Sequence, residues 1–246
     1  MQRVTQALSK TYIHIRRQPA VFFNFFTFIL SYFFLFTVSF ISWIFFFLLN
    51  RTVIVGKENL RAEKNTLFLS NHQSMIDSFL IGTVISFPAL FLRPTLIPWH
   101  PAAKENFFRN PIQSFFSRMW KCIAVRRGQH DFEALENMKN ALTASTMLIY
   151  PEGSRSRSGE VGTGRPGTGK LIHDTGARCI PIYIEGMNDV LPIGRSFPRF
   201  FRKITVRIGH PVEFDNLLKE PSCKETSEKI IEKVMVEIRN LKNSEK

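Results

Sequence analysis

The chain of 246 residues reads as an α/β domain with a largely parallel sheet flanked by helices, preceded by a hydrophobic helical membrane motif. Three observations carry that expectation. From residue 51 onward, short apolar runs alternate with stretches of helical spacing, the pattern of strands joined by helical crossovers. Before that point, no charged residue lies between Arg17 and Arg51, and residues 21–49 are dense in Phe, Leu and Ile. At the far end, Ile230, Ile231, Val234, Met235, Ile238 and Leu241 fall on one helical face. The chain therefore divides at residue 50: residues 1–50 form a basic N-terminus and membrane segment, and residues 51–246 one domain closed by an amphipathic helix.

The apolar N-terminal run is too long for a signal peptide and lacks a small-residue cleavage site. As one helix it would exceed the ~30 Å hydrocarbon core at about 1.5 Å per residue. Either a strongly tilted span or a broken pair of helices lying in one leaflet fits, with Asn24, Ser31, Ser39 and Ser42 easing the break. Basic residues flank the run on both sides, Arg3, Lys10, Arg16 and Arg17 before and Arg51 and Lys57 after. A simple span should carry its positive bias on one side, so this symmetry favours the one-leaflet form.

Arg51-Thr52-Val53-Ile54-Val55 has strand character, and residues 67–70 form a short buried strand. Ser74 followed by Asp77 has the spacing of a capping box opening a helix from about residue 75 to 86. A basic stretch interrupted by prolines occupies residues 93–111, followed by helical spacing over 112–121 and a strand at 123–125. Residues 132–144 are helical by their apolar spacing, 147–150 form a buried strand, and 156–169 form a loop rich in Gly, Ser and Arg. A helical piece ends at Gly176, a residue suited to the left-handed C-cap. Residues 179–184 and 204–208 supply further strands, and residues 224–241 the last helix.

A net charge of +13 directs the chain toward anionic partners. Its basic residues are scattered and no nucleic-acid-binding motif is present, so nucleic acid is excluded in favour of acidic lipids or phosphorylated substrates. Cys122, Cys179 and Cys223 lack paired or metal-ligand spacing, as in a domain facing the cytoplasm. The remaining histidines form no ligand set either, so no metal is expected. Residues 164–170 approximate the G-x4-G-K phosphate loop, but Leu171 stands where the metal-binding hydroxyl is required, which rules out nucleotide hydrolysis.

The chemistry concentrates in two clusters at strand ends. Asn71-His72-Gln73-Ser74-Met75-Ile76-Asp77 sets an imidazole five positions before a carboxylate, the order of a general base and the group that orients it. Asp77 could equally serve the helix dipole, and both roles are compatible. Tyr150-Pro151-Glu152-Gly153-Ser154-Arg155-Ser156 follows the next strand. There Arg155 offers a planar fork of donors for phosphate, and Gly153 allows close backbone approach. Ser74 reads as a cap rather than a nucleophile, because no G-x-S-x-G elbow surrounds it.

These clusters resemble the glycerolipid acyltransferase family, typified by the 1-acyl-sn-glycerol-3-phosphate acyltransferases. Asn71, His72, Ser74 and Asp77 match its N-H-x-S-x-x-D block, and residues 151–156 match P-E-G-T-R-S with Ser154 in place of Thr. Ile180-Pro181-Ile182 matches its apolar-Pro-apolar strand. Lys104-Glu105-Asn106 and Val125-Arg126-Arg127 match the K-x-E-L and V-D-R block less closely, with V-x-R favouring Arg127 over Arg126. The resemblance spans roughly residues 55–215 and implies a single acyltransferase domain. It further implies His72 as general base, Asp77 as its orienting carboxylate, and Glu152, Gly153, Arg155, Arg127 and Lys104 as acceptor-binding residues. The implied reaction moves a fatty acyl group from acyl-CoA or acyl carrier protein, as co-substrate, to 1-acyl-sn-glycerol-3-phosphate, giving phosphatidic acid with no cofactor. The implied place is a cell inner membrane or other bilayer, with the lysophospholipid acceptor in the lipid and the catalytic domain on the cytoplasmic side. A lysophospholipid acyltransferase or transacylase for another headgroup is a near alternative. A serine-type lipid hydrolase and a non-catalytic membrane scaffold are the alternatives from other classes.

Overall fold

The computed structural model describes residues 25–87, 92–128 and 131–244. Helix α1 (Phe25–Trp43) leads through a π-helical turn (Ile44–Leu48) directly into strand β1 (Arg51–Val55). The helix runs unbroken through Ser31, Ser39 and Ser42, so the break expected at those serines does not occur. They are buried on the same stripe as Leu35 and Phe46, where Ser31 donates to Met119 Sδ at 3.2 Å. Small hydroxyl residues here let the helix lie close against the domain. The opposite stripe, with Leu30, Phe33, Phe40, Ile41 and Leu48, is exposed. The stretch Ile29–Leu48 is long and apolar enough to cross a membrane. Asn24 and the basic residues Arg3, Lys10, Arg16 and Arg17 lie outside the described residues.

Strand β2 (Thr66–Ser70), buried on both faces, occupies the interior of a five-stranded sheet in the order β1-β7-β6-β2-β5. Here β5 is Thr146–Ile149, β6 Arg178–Glu185 and β7 Lys203–Ile208. The pairs β1–β7, β2–β6 and β2–β5 are parallel, and β6–β7 is antiparallel. Continuous apolar runs such as Thr-Leu-Phe-Leu suit strands covered on both sides. A second parallel pair joins β3 (His100–Ala103) to β4 (Cys122–Val125), and a parallel bridge between Trp99 and Met147 brings it against β5. Strand β3 falls in the stretch read from sequence as an irregular, proline-interrupted connection. Its His-Pro-Ala-Ala sequence has little strand propensity, so pairing with β4 decides its conformation.

Helix α2 (Asp77–Ser86) and α1 cover one face of the sheet, in a core containing Phe68, Leu80, Ile81, Ile182 and Val206. On the other face, α5 (Phe132–Ala144), α6 (Pro166–Thr175) and α8 (Lys224–Asn243) enclose Leu67, Leu69, Leu142, Leu171, Ile230 and Val234. Short helices α3 (Lys104–Phe107), α4 (Pro111–Met119) and α7 (Met187–Val190) complete the layers. Helix α6 starts at Pro166, inside the segment expected to be loop. Its Gly169 faces α8 so closely that a Cβ would lie 1.9 Å from the Ser227 carbonyl oxygen. The glycines resembling a phosphate loop thus include one required for helix packing.

Candidate active site

His72 follows the carboxyl end of β2, where open α/β sheets place their ligand sites. The chain turns sharply there, and Asn71 holds the turn to β6. Its side-chain amide donates to the Ile184 carbonyl at 2.9 Å and accepts from the Ile184 N–H at 2.8 Å. Gln73 adds a second tie by accepting from the Met187 N–H at 3.1 Å.

Asp77, at the first turn of α2, is fully buried. Its Oδ2 accepts from His72 Nδ1 at 2.8 Å, from the Gln73 N–H at 2.6 Å and from the Ser74 N–H at 2.8 Å. Burial raises the proton affinity of this carboxyl, and the His72 ring and the two backbone N–H donors oppose that shift. With Nδ1 engaged, the tautomer that donates to Asp77 leaves His72 Nε2 as the free, basic nitrogen. Tyr150 stacks on the imidazole, ring centroids 4.1 Å apart and planes within 14°, so the ring is fixed both at its edge and on its face. Nothing in the sequence spacing signalled that contact, because it joins the ends of two strands that pair only in the folded sheet.

The expected Ser74 side-chain cap is not formed. The hydroxyl, fully buried, donates instead to the Leu191 carbonyl at 2.9 Å, and the helix opens at Asp77 with no side-chain cap. Only the other half of the capping box survives, with the Asp77 carboxylate accepting from the Ser74 backbone.

Glu152 is also buried, and its Oε1 accepts from the His72 N–H at 3.2 Å. Burial raises its proton affinity, with the N–H groups of His72 and Gly162 acting the other way. The side chain therefore ties the His72 turn to the Gly162 loop from inside. The Ser156 N–H returns the tie by donating to the His72 carbonyl at 2.8 Å. Gly153 takes a left-handed φ of 70°.

His72, Gly153 and Arg127 line one cavity of about 400 Å3. Beyond them its walls are mainly apolar: Phe34 of α1, Phe79 of α2, Phe107, and Phe116 and Trp120 at the end of α4. Arg127 is exposed, and its N–H donates to Glu105 Oε1 at 3.2 Å. Lys104 and Arg155 are not among the lining residues. Lys104 is exposed at the head of α3, after the strand paired with the one leading to Arg127. Arg155 is half-buried on the loop held to His72 and has no carboxylate partner among the described residues. An imidazole backed by a buried carboxylate, open to an apolar cavity with a cation at its edge, can deprotonate a hydroxyl beside an alkyl chain.

The acyltransferase family model matches residues 51–185, more than half of the chain. The chain belongs to the acyltransferase family. It is 32% identical over 160 residues to the N-acylphosphatidylethanolamine synthase of Arabidopsis thaliana, covering 60% of this chain and 55% of that protein. It is 25% identical over 183 residues to the chloroplastic 1-acyl-sn-glycerol-3-phosphate acyltransferase LPAT1 of the same plant, covering 73% of this chain and 48% of that one. The chain thus spans about half the length of these curated relatives. Its fold matches the 1-acyl-sn-glycerophosphate acyltransferase PlsC of Thermotoga maritima with a TM-score of 0.63 over the whole of both chains, at 23% identity. An acyltransferase with a largely parallel α/β sheet accords with the sequence reading.

Proposed function

We propose that this acyltransferase esterifies a membrane lysophospholipid, 1-acyl-sn-glycerol-3-phosphate, with the acyl group of a thioester. The observation that carries this reading is the Asp77-backed His72 at an apolar cavity that also exposes Arg127. His72 Nε2 takes the proton of the acceptor's free hydroxyl as that oxygen attacks the thioester carbonyl carbon. Asp77 stabilises the imidazolium, already held by its Nδ1. As the tetrahedral intermediate collapses, the carbon–sulfur bond breaks and the imidazolium proton goes to the leaving thiolate. An ester and a free thiol result, with no covalent acyl-enzyme, and holding both substrates together supplies much of the acceleration. Arg127 at the cavity binds the acceptor's phosphate, which Arg155 reaches from the loop held to His72, outside the cavity lining, while Lys104 adds positive charge nearby. Glu152 and Tyr150 position His72.

The apolar walls suit the alkyl chain, and α1 keeps the cavity beside the bilayer where acceptor and product reside. The domain then works from the cytoplasmic side, where acyl-CoA and acyl carrier protein are available. Commitment of the Ser74 hydroxyl to Leu191 in a fully buried position weighs against a serine hydrolase. Similarity to an N-acylphosphatidylethanolamine synthase supports a second reading, transfer to another headgroup. The test is a membrane assay with labelled acyl-CoA and acyl carrier protein donors and a panel of lysolipid acceptors. Phosphatidic acid as main product supports the proposal. Transfer only to ethanolamine-bearing lipids would replace it with the second reading, and acceptor-independent fatty acid release would refute both.

A further inference from the structure

Between β6 and β7 the chain runs through an exposed segment, residues 192–202, that combines unpaired cations with aromatic rings. Phe197 is 86% exposed and Phe201 78% exposed, with Ile193 and Phe200 also at the surface. No acidic residue occurs from Leu191 to Val212, and Arg195, Arg199, Arg202 and Lys203 have no carboxylate partner among the described residues. The segment is nevertheless held firmly. The Arg199 N–H donates to the Val190 carbonyl at 2.7 Å, and the Phe201 N–H to the Leu49 carbonyl at 2.9 Å. The Arg202 N–H donates to Asn50 Oδ1 at 2.9 Å, and Phe200 packs on Phe45 at 5.7 Å. Phe201 adopts a left-handed φ of 61°, uncommon for an aromatic residue, and presents its ring to the outside.

The ties of Phe200, Phe201 and Arg202 all go to the residues that follow α1, Phe45, Leu49 and Asn50, while Arg199 is held to the end of α7. If α1 is embedded, as the proposed function requires, this loop is fixed at the depth where the apolar run ends. That is the bilayer interface, where aromatic rings concentrate and Arg side chains reach phosphate headgroups. We propose that the 192–202 loop is a second membrane contact, inserting Phe197 and Phe201 into an anionic leaflet with Arg195, Arg199 and Arg202 on its headgroups. The loop's stem begins at Leu191, whose carbonyl accepts from the Ser74 hydroxyl, which joins the loop to the turn that carries His72.

The experiment uses the full chain in vesicles, with bimane attached at Phe197→Cys in a Cys223→Ser background. A native chain labelled at exposed Cys223, at the head of α8 on the other side of the sheet, is the reference. In brominated phosphatidylglycerol vesicles the residue-197 label should be quenched at least about twofold by lipid and shielded from aqueous iodide, whereas the Cys223 label should show the reverse. Reversal by Arg195→Glu, Arg199→Glu and Arg202→Glu together should abolish the lipid quenching, and brominated phosphatidylcholine should quench less. Iodide access to residue 197 equal to that of Cys223, or full lipid quenching after charge reversal, would overturn the inference. Acyl transfer plays no part in this readout. A chain that does not float with vesicles refutes the membrane reading itself, while one that floats with residue 197 in water refutes only the loop contact.

Discussion

Asp77 accepts three N–H donors with one oxygen, which makes it both the orienting partner of His72 and the nucleus of the turn that carries His72. Substitution there disturbs chemistry and turn together, whereas His72 can be removed with less structural consequence. His72→Ala should lower acyl transfer by about 10²–10⁴ with unchanged thermal stability. Asp77→Asn should lower it comparably, since the amide can hold the wrong tautomer. Initial rates and melting curves on the same preparations check both, and near wild-type turnover by folded His72→Ala protein would sink the mechanism. Arg155 provides a second residue-level test, because a lysine cannot reproduce the bidentate fork of a guanidinium. Arg155→Lys should reduce kcat/KM for the lysophosphatidic acid acceptor by roughly 10- to 150-fold, the value of about 1.5–3 kcal/mol for a hydrogen bond to a charged group. An increase confined to the thioester KM would instead assign this cation to the donor.

Elements fail in their own ways. Helices α6 and α8 meet at Gly169, where any side chain strikes the Ser227 backbone rather than a movable side chain. Gly169→Ala should therefore destabilise the fold by about 1–3 kcal/mol despite the better helix propensity of alanine, as a lowered melting temperature would show. At the turn before β4, Lys121 donates to the Ile97 carbonyl beneath the Trp99 ring, and burial lowers its pKa from 10.5 to about 7. Because the folded state then binds fewer protons than the unfolded state between those values, stability should rise as pH increases from about 7 toward 10.5. Lys121→Met should flatten that rise, and melting temperatures across the interval measure it.

At the scale of the whole molecule, α1 and the π-helical turn after it are joined to the domain through Ser31, Leu35, Ser39, Ser42 and Phe46 while their outer stripe stays apolar. Such a chain should resist extraction by high salt or alkaline carbonate and require detergent, because the attachment is hydrophobic and not ionic. Release of intact protein by carbonate alone would contradict the membrane reading.

Much of this was determined by the sequence alone. Apolar runs of strand length, helical spacing and a Phe-rich segment without charge fix local conformation through burial, which requires no knowledge of partners. The His72 and Asp77 spacing was likewise legible, since both residues belong to one turn. Only the tertiary structure decided what depends on distant chain segments. The antiparallel β6–β7 pair, β3 on β4, the diversion of Ser74 to Leu191, the inward turn of Glu152 and the stacking of Tyr150 on His72 all join residues far apart in the chain. A hydroxyl or carboxylate in a turn has several partners of similar strength nearby. Which one it takes is settled by the donor or acceptor that folding would otherwise bury without a partner.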